Sequence, residues 1–105
     1  MIVVTTETIA GREISETLGL VRGNTIRARH VGRDIMAGLK TLVGGEIHEY
    51  AKLMGEAREQ ALDRMVQEAR GLRADAIINV RFSTSVILGG AAEMLAYGTA
   101  VRLAR

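Results

Sequence analysis

Residues 47–72 read IHEYAKLMGEAREQALDRMVQEARGL, and this stretch decides the fold of the chain. Apolar side chains recur in it at every third or fourth residue over about seven turns, the spacing that places them on one face of an α-helix. This row consists of Ile47, Tyr50, Met54, Ala57, Ala61, Met65, Ala69 and Leu72. A second apolar row at Ala51, Leu62 and Val66 widens the stripe. We therefore predict a long amphipathic helix that contacts more than one surface.

Charged residues occupy the rest of this helix. They are Lys52, Glu56, Glu59, Asp63, Arg64 and Glu68. Because an amphipathic helix turns its polar side away from the core, we expect these side chains to face water or partners.

A shorter helix is predicted directly before the long one. Asp34 follows Gly32 and Arg33 and can cap a helix, because its carboxylate accepts hydrogen bonds from free backbone N–H groups of the first turn. Apolar residues then recur at helical spacing as far as Val43, and Gly44-Gly45 ends the helix.

Strands are predicted on both sides of the helices. Residues 2–5 are β-branched at every position, which favours a short first strand. A turn at Ala10-Gly11 leads into residues 12–28, where Gly19 and Gly23 interrupt a mixed pattern. This second segment indicates a long strand that is bent or bulged, with a hairpin as the other reading.

The chain closes with two strands in which apolar and polar residues alternate. In residues 76–86 we place Ile78, Val80 and Phe82 on one face, and residues 94–103 alternate in the same way. Gly89-Gly90 between them marks a hairpin. The order predicts an α+β fold, with a small, largely antiparallel sheet packed by one long and one shorter helix in a single domain spanning residues 1–105.

Composition limits the function classes. The residues are 48% hydrophobic, more apolar material than a lone chain of 105 residues readily buries, so we expect part of the surface to meet another subunit. The chain contains 0 cysteines, which excludes disulfides and thiolate chemistry. A net charge of +2 does not predict a nucleic-acid partner. We see no targeting or membrane-spanning segment and expect a cytoplasmic protein with no membrane partner.

The motifs along the chain, taken together, resemble the YbjQ-like family, whose members are uncharacterised and often labelled heavy-metal-binding. The resemblance covers essentially the whole length. It rests on Thr5-Thr6, Leu18-Gly19 with Val21 and Gly23, Gly44-Gly45-Glu46, Tyr50, Glu56-Ala57-Arg58 with Ala61, Ala74-Asp75-Ala76, Val80-Arg81-Phe82 with Thr84-Ser85, and Tyr97-Gly98-Thr99-Ala100-Val101.

This resemblance implies a small α+β subunit that assembles into a ring-like homopentamer, and it implies no catalytic residues. Two positions depart from the family pattern. Arg73 stands where the pattern has glycine, and Ala10 stands where members often carry proline. Both changes fall in turns and leave the expected fold intact.

The candidate metal ligands are Glu46, His48 and Glu49 at the start of the long helix, together with His30. Carboxylate and imidazole groups suit a divalent metal ion such as zinc, nickel or manganese. The spacing is not that of a zinc protease helix, because Lys52 stands four residues after His48. The competing interpretation is that the two acidic residues complement the helix dipole and that His48 faces solvent. Only copies of the set in a symmetric oligomer could complete a coordination shell.

An anion site is a second candidate, formed by Arg27 and Arg29 on one strand face. Guanidinium groups present paired donors to phosphate or carboxylate. The competing interpretation is a solvated strand edge or ion pairs between subunits. Nucleic-acid surfaces usually add aromatic platforms, and none lies near these arginines.

Glu56, Arg58 and Arg81 are best interpreted as assembly residues that form ion pairs between subunits. We therefore predict an oligomeric binding or scaffold protein without catalytic activity, which takes a metal ion or small anion at a subunit interface. The alternative is an enzyme whose active site is assembled across the interface from Glu46, Tyr50, Arg58 and Arg81. No residue pattern supplies the base and pocket that such an enzyme needs.

Overall fold

A computed structural model describes the backbone of residues 1–27, 45–87 and 91–105. Its elements are β1 (Ile2–Val3), β2 (Ile14–Arg27), α1 (Gly45–Gly71), β3 (Ala76–Ile87) and β4 (Ala91–Leu103). The α+β class is confirmed, with one helix in the described residues where the sequence predicts two. The predicted shorter helix ending at Val43 and the Gly89-Gly90 turn lie outside the described residues.

The strands form one sheet in the order β1-β3-β4-β2. Strands β2 and β3 both pair antiparallel with β4, in line with the predicted largely antiparallel sheet, although the sequence did not predict which strand β2 would join. The short β1 instead pairs parallel with β3, with Ile2 opposite Ala76 and Val3 opposite Ile77. The sheet is therefore mixed, because β1 and β3 are parallel whereas the other pairs are antiparallel.

Strand β2 is one long irregular strand and not a hairpin. Its pairing with β4 shifts register between Ile14 and Glu16 and again between Thr17 and Gly19. Gly19 has a φ of 119°, a conformation that residues with a side chain rarely adopt. The prediction of a bulged strand is confirmed here.

A bulge at Asn79 in β3 makes the predicted alternation wrong. Asn79 has a φ of 54°, and the register with β4 shifts between Ile78 and Arg81. Because a bulge inserts one residue, the side chains on either side of it no longer share a face. Ile78 thus packs on one side of the sheet with Val101, whereas Val80 packs on the other side beneath α1.

The helix α1 packs chiefly on β2 and β4 and contacts β3 only slightly. Met65, the largest fully buried side chain among the residues whose burial is described, lies in this interface together with Val21 and Ile77. A β-carbon added at Gly23 would overlap the backbone carbonyl oxygen of Ala61 and the backbone nitrogen of Met65. The absence of a side chain at Gly23 therefore sets how closely the helix approaches β2.

A Schellman motif ends α1. The backbone N–H of Ala74 donates to the carbonyl oxygen of Ala69 at 3.1 Å, and that of Arg73 donates to the carbonyl oxygen of Arg70 at 2.9 Å. Arg73 has a φ of 60°, in the left-handed region that glycine adopts at least cost. This conformation is a physical reason for the glycine that the family pattern has at this position.

The N-terminal segment covers one end of the sheet face opposite the helix. Four buried residues form a cluster there, namely Ala76, Ile78, Val101 and Leu103. Ile2, Val4, Ile9 and Ile14 pack against them. The remainder of this face carries no further element in the described part of the chain.

Candidate functional site

The uncovered remainder of that face is the candidate site, and we call it the open face. The strand registers define it, because residues directly opposite one another on neighbouring strands share a face. It consists of Leu20, Arg22, Asn24 and Ile26 on β2, Glu93, Leu95, Tyr97 and Thr99 on β4, and Arg81, Ser83 and Ser85 on β3.

Large apolar side chains on the open face are exposed. Leu20 is 63% exposed, Ile26 57% and Tyr97 36%. Leu95 beside them is half-buried. Single exposed apolar residues are ordinary on protein surfaces, but several on one sheet face form a patch of the kind that marks an interaction surface.

Polar groups cross the middle of the open face. Arg22, Tyr97 and Arg81 form one row across the three strands, because Tyr97 is the register partner of both arginines. Nearer the far end of β2, Glu93 accepts a diagonal hydrogen bond from the side-chain amide of Asn24 at 3.1 Å. The open face therefore has two arginines at its centre, with the apolar residues Leu20 and Ile26 on either side of them. The arginines suit contact with carboxylates or other anions.

Arg81 lies at the border between the covered and open parts of this face. Its Nη1 atom donates to the carbonyl oxygen of Thr5 at 2.8 Å and to that of Val80 at 2.9 Å. The guanidinium thereby ties the segment after β1 to β3. Its assembly role stays a prediction, and within the subunit it already serves the fold.

The other two predicted assembly residues lie on a different surface. Glu56 and Arg58 are exposed on α1, on the opposite side of the sheet from Arg81. In the described part of the chain neither forms an ion pair. One subunit therefore does not bring the three together, and their assembly role stays a prediction.

The predicted metal ligands are placed only in part. Glu46, His48 and Glu49 belong to the first turn of α1, and His30 lies outside the described residues. Since an α-helix turns about 100° per residue, positions 46 and 49 share one side of the helix, whereas position 48 is about 130° away from their mean direction. The three cannot converge on one ion from a single helix, so the set fits a metal only with donors from elsewhere.

The predicted anion site likewise remains untested. Arg27 is the last residue of β2, described here only through its backbone, and Arg29 lies outside the described residues. Among the residues whose side chains the structure describes, which exclude 45–51, no group of three or more His, Asp or Glu could hold a metal ion. None of the helices in those ranges is long and apolar enough to span a membrane.

Two charged residues of α1 have a role that sequence reasoning missed. Glu68 accepts a hydrogen bond from the backbone N–H of Arg22 at 3.3 Å, and Arg64 donates to the carbonyl oxygen of Asn24 at 2.5 Å. Both were expected to face water or partners. Both are exposed as expected, and they also reach the outer edge of β2. The only signal in the sequence for this second role is their spacing of four residues on the polar side of the helix.

Arg102 is a third residue that sequence reasoning missed. It pairs with Glu16 at 3.1 Å and donates to the carbonyl oxygens of Arg73 and Leu72 at the end of α1. Both side chains of this ion pair are substantially exposed, so its Coulomb energy adds little to the stability of the subunit. The main effect of Arg102 is to connect β2, β4 and the end of the helix.

Comparison with known proteins places the chain in a family. A family profile described as "Putative heavy-metal-binding" matches residues 1–104. The chain belongs to the YbjQ-like family. Its relatives include a UPF0145 protein of Archaeoglobus fulgidus, 61% identical over 98% of this chain and 95% of that protein. Another, from Methanosarcina acetivorans, is 59% identical over 98% of this chain and 97% of the relative.

A solved structure shares the YbjQ-like fold. It is a protein of unknown function in the DUF74 family from Pediococcus pentosaceus, with a TM-score of 0.66 and 18% identity. The match covers 99% of this chain and 98% of that one. At this identity the likeness bears on the fold alone, so the function of the YbjQ-like subunit must be argued from its own surfaces.

Proposed function

We propose that the protein is a ring-like homopentamer in the cytoplasm that binds a metal ion or small anion between subunits and catalyses no reaction. The single observation that supports this best is the open face, where Leu20, Ile26 and Tyr97 are exposed beside a basic centre. Burying such a patch against another copy removes apolar surface from water at about 25 cal/mol per Å². The number five comes from the family resemblance.

We place the ligand site between subunits because the few predicted ligands of one subunit do not complete a coordination shell, whereas copies of the set in a symmetric oligomer can. The family description supplies the metal. In a cyclic ring each copy repeats the same donors, so a pair such as Glu46 and Glu49 from one subunit can be completed by donors of its neighbour. Carboxylate and imidazole donors then favour a zinc-like or manganese-like ion over a soft metal.

Metal binding by the assembled protein is the first prediction. Untagged protein treated with chelator and titrated with Zn²⁺ or Mn²⁺ should bind in a fixed ratio to subunits, measured by calorimetry and by elemental analysis after dialysis. His48→Ala should weaken the affinity by about 10-fold or more, by analogy with the 10–100-fold losses seen when groups that merely support metal ligands are mutated.

Glu59→Gln is the matched control, since Glu59 is an exposed acidic residue on the same helix and lies outside the proposed set. It should bind like wild type. Equal affinity in all three proteins, or no binding by an intact oligomer, would contradict the metal proposal while leaving the assembly in place.

The enzyme alternative draws less support. Arg58 and Arg81 lie on opposite sides of the sheet, so an active site that uses both must be assembled from two subunits. Arg81 is moreover already bonded to two backbone carbonyl oxygens. Turnover of any compound in a metabolite screen, lost in Glu46→Ala, would favour this alternative over a binding protein.

A further inference from the structure

The centre of the open face combines an aromatic ring with two arginines. Tyr97 lies on the inner strand β4 and is the register partner of Arg22 on β2 and of Arg81 on β3. Neighbouring strands lie about 4.8 Å apart, so the Cα atoms of the two arginines are about 10 Å apart, with the tyrosine between them. Tyr97 is 36% exposed, and both arginines are exposed as well.

Arg22 carries hydrogen-bond donors that the described part of the subunit does not use. Its backbone N–H bonds Glu68 at the edge of the sheet. Its guanidinium group, in contrast, forms no hydrogen bond or ion pair with another described residue. A guanidinium group presents five N–H donors in a planar fork that matches two oxygens of a phosphate or carboxylate. Arg22 is therefore equipped to pair with an anion on the open face.

Arg81 adds a second positive charge that is already fixed in place. Its Nη1 atom donates to the carbonyl oxygens of Thr5 and Val80, which hold the guanidinium at the border of the open face. Its Nε and Nη2 atoms bond no acceptor in the described ranges. Because this charge is held in position before any ligand arrives, little conformational entropy is lost when a ligand binds beside it.

The described open face has no counter-charge beside these arginines. Glu93 is its carboxylate, and this group accepts a hydrogen bond from Asn24. Glu93 lies four residues from Tyr97 along β4, which is about 13 Å at 3.3 Å per residue. Since burying an arginine without an opposite charge is strongly unfavourable, an assembly that covers this face needs an anion at its centre.

The position of Tyr97 narrows the class of anion. Aromatic side chains provide platforms on which nucleobases of any identity stack, and guanidinium groups pair with phosphates. A nucleotide carries both parts in one molecule. The basic row is short, because the apolar residues Leu20 and Ile26 lie on either side of it. This favours a single nucleotide over a polymer, which needs basic groups along its whole path.

We propose that the central row of the open face binds a mononucleotide, with its phosphate on Arg22, its base on the ring of Tyr97, and Arg81 adding positive charge nearby. The inference rests on the proposed function in taking the open face as the ligand-bearing surface between subunits, and it names the class of the small anion. It does not depend on the number of subunits.

Calorimetric titration of the untagged, assembled protein with adenosine monophosphate (AMP), inorganic phosphate and adenosine tests the ligand class. AMP should bind more tightly than either of the other two, because it alone engages the arginine and the ring together. Phosphate that binds as tightly as AMP would show that the ring contributes nothing, and adenosine that does so would show the same of Arg22. Either result, or no binding of AMP, would overturn the inference.

Four variants test the two halves of the site. Arg22→Gln should weaken AMP binding by about 10-fold or more, as expected for the loss of hydrogen bonds to a charged group. Tyr97→Leu should weaken it by about 5-fold or more, whereas Tyr97→Phe keeps the stacking ring and should bind like wild type. Arg70→Gln is the matched control for charge, since Arg70 is an exposed arginine on α1, on the other side of the sheet. Wild-type affinity in both Arg22→Gln and Tyr97→Leu would refute the site.

Sedimentation of the same samples separates this inference from the proposed function. An intact oligomer that does not bind AMP would overturn the nucleotide site and leave the assembly standing. A monomer that binds AMP, with the losses expected in Arg22→Gln and Tyr97→Leu, would support the site and contradict the assembly.

Discussion

Gly23→Ala should lower the free energy of unfolding by about 3 kcal/mol or more, the upper end of the range for overpacked cores. A β-carbon at this position would overlap backbone atoms of Ala61 and Met65, which cannot rotate away as a side chain would. The helix would have to move off β2, and the burial of Met65 would be lost with it. Urea unfolding followed by circular dichroism at fixed protein concentration measures the change.

Gly55→Ala is the matched control for this prediction. Gly55 lies within α1, and an added β-carbon would meet only the Nη2 atom of Arg58, at 3.7 Å. Alanine is favoured over glycine in a helix interior by about 1 kcal/mol, so this variant should be slightly more stable than wild type. Equal stability of the two variants would contradict the packing of α1 on β2.

Leu20→Lys should weaken self-association by about 100-fold in the dissociation constant or more. Leu20 is 63% exposed in the subunit, so the fold of the isolated chain should change little. In the proposed assembly the open face is buried, and an unpaired charge buried there costs several kcal/mol. A loss of about 2.7 kcal/mol corresponds to a 100-fold weaker dissociation constant. Arg22 two residues along adds like charge.

Gln67→Lys provides the control, because it adds the same charge at an exposed position on α1, on the other side of the sheet. Analytical ultracentrifugation over a dilution series should show that Gln67→Lys associates like wild type. Leu20→Lys should dissociate at a higher protein concentration than wild type does. If Leu20→Lys assembles as tightly as wild type, the open face is not the surface that binds a neighbour.

The helix and the main strands could be predicted from sequence because their signals are local. The apolar spacing from Ile47 to Leu72 depends only on 3.6 residues per turn, and the structure has α1 over Gly45–Gly71. The exchange of faces around Asn79 could not be predicted in this way. A bulge depends on the pairing of β3 with β4, and the local alternation of Ile78 and Val80 carries no sign of it.

The contacts that shape the candidate surfaces are also non-local. The parallel pairing of Ile2 with Ala76 and the bonds from Arg64 and Glu68 to β2 join segments far apart in the chain. Composition indicated apolar surface that one chain leaves uncovered, and Leu20 and Ile26 are exposed in the subunit. That this surface meets a partner stays a prediction. Composition could not indicate which face carries that surface.

Native mass spectrometry of the untagged protein tests the central claim, self-association through the open face, most directly. The mass, recorded at low micromolar concentration, should be five times the 11.3 kDa subunit mass, and it should fall in Leu20→Lys. A wild-type protein that is a monomer under these conditions would contradict the account, because the exposed apolar residues of the open face would then not be buried against another copy of the chain.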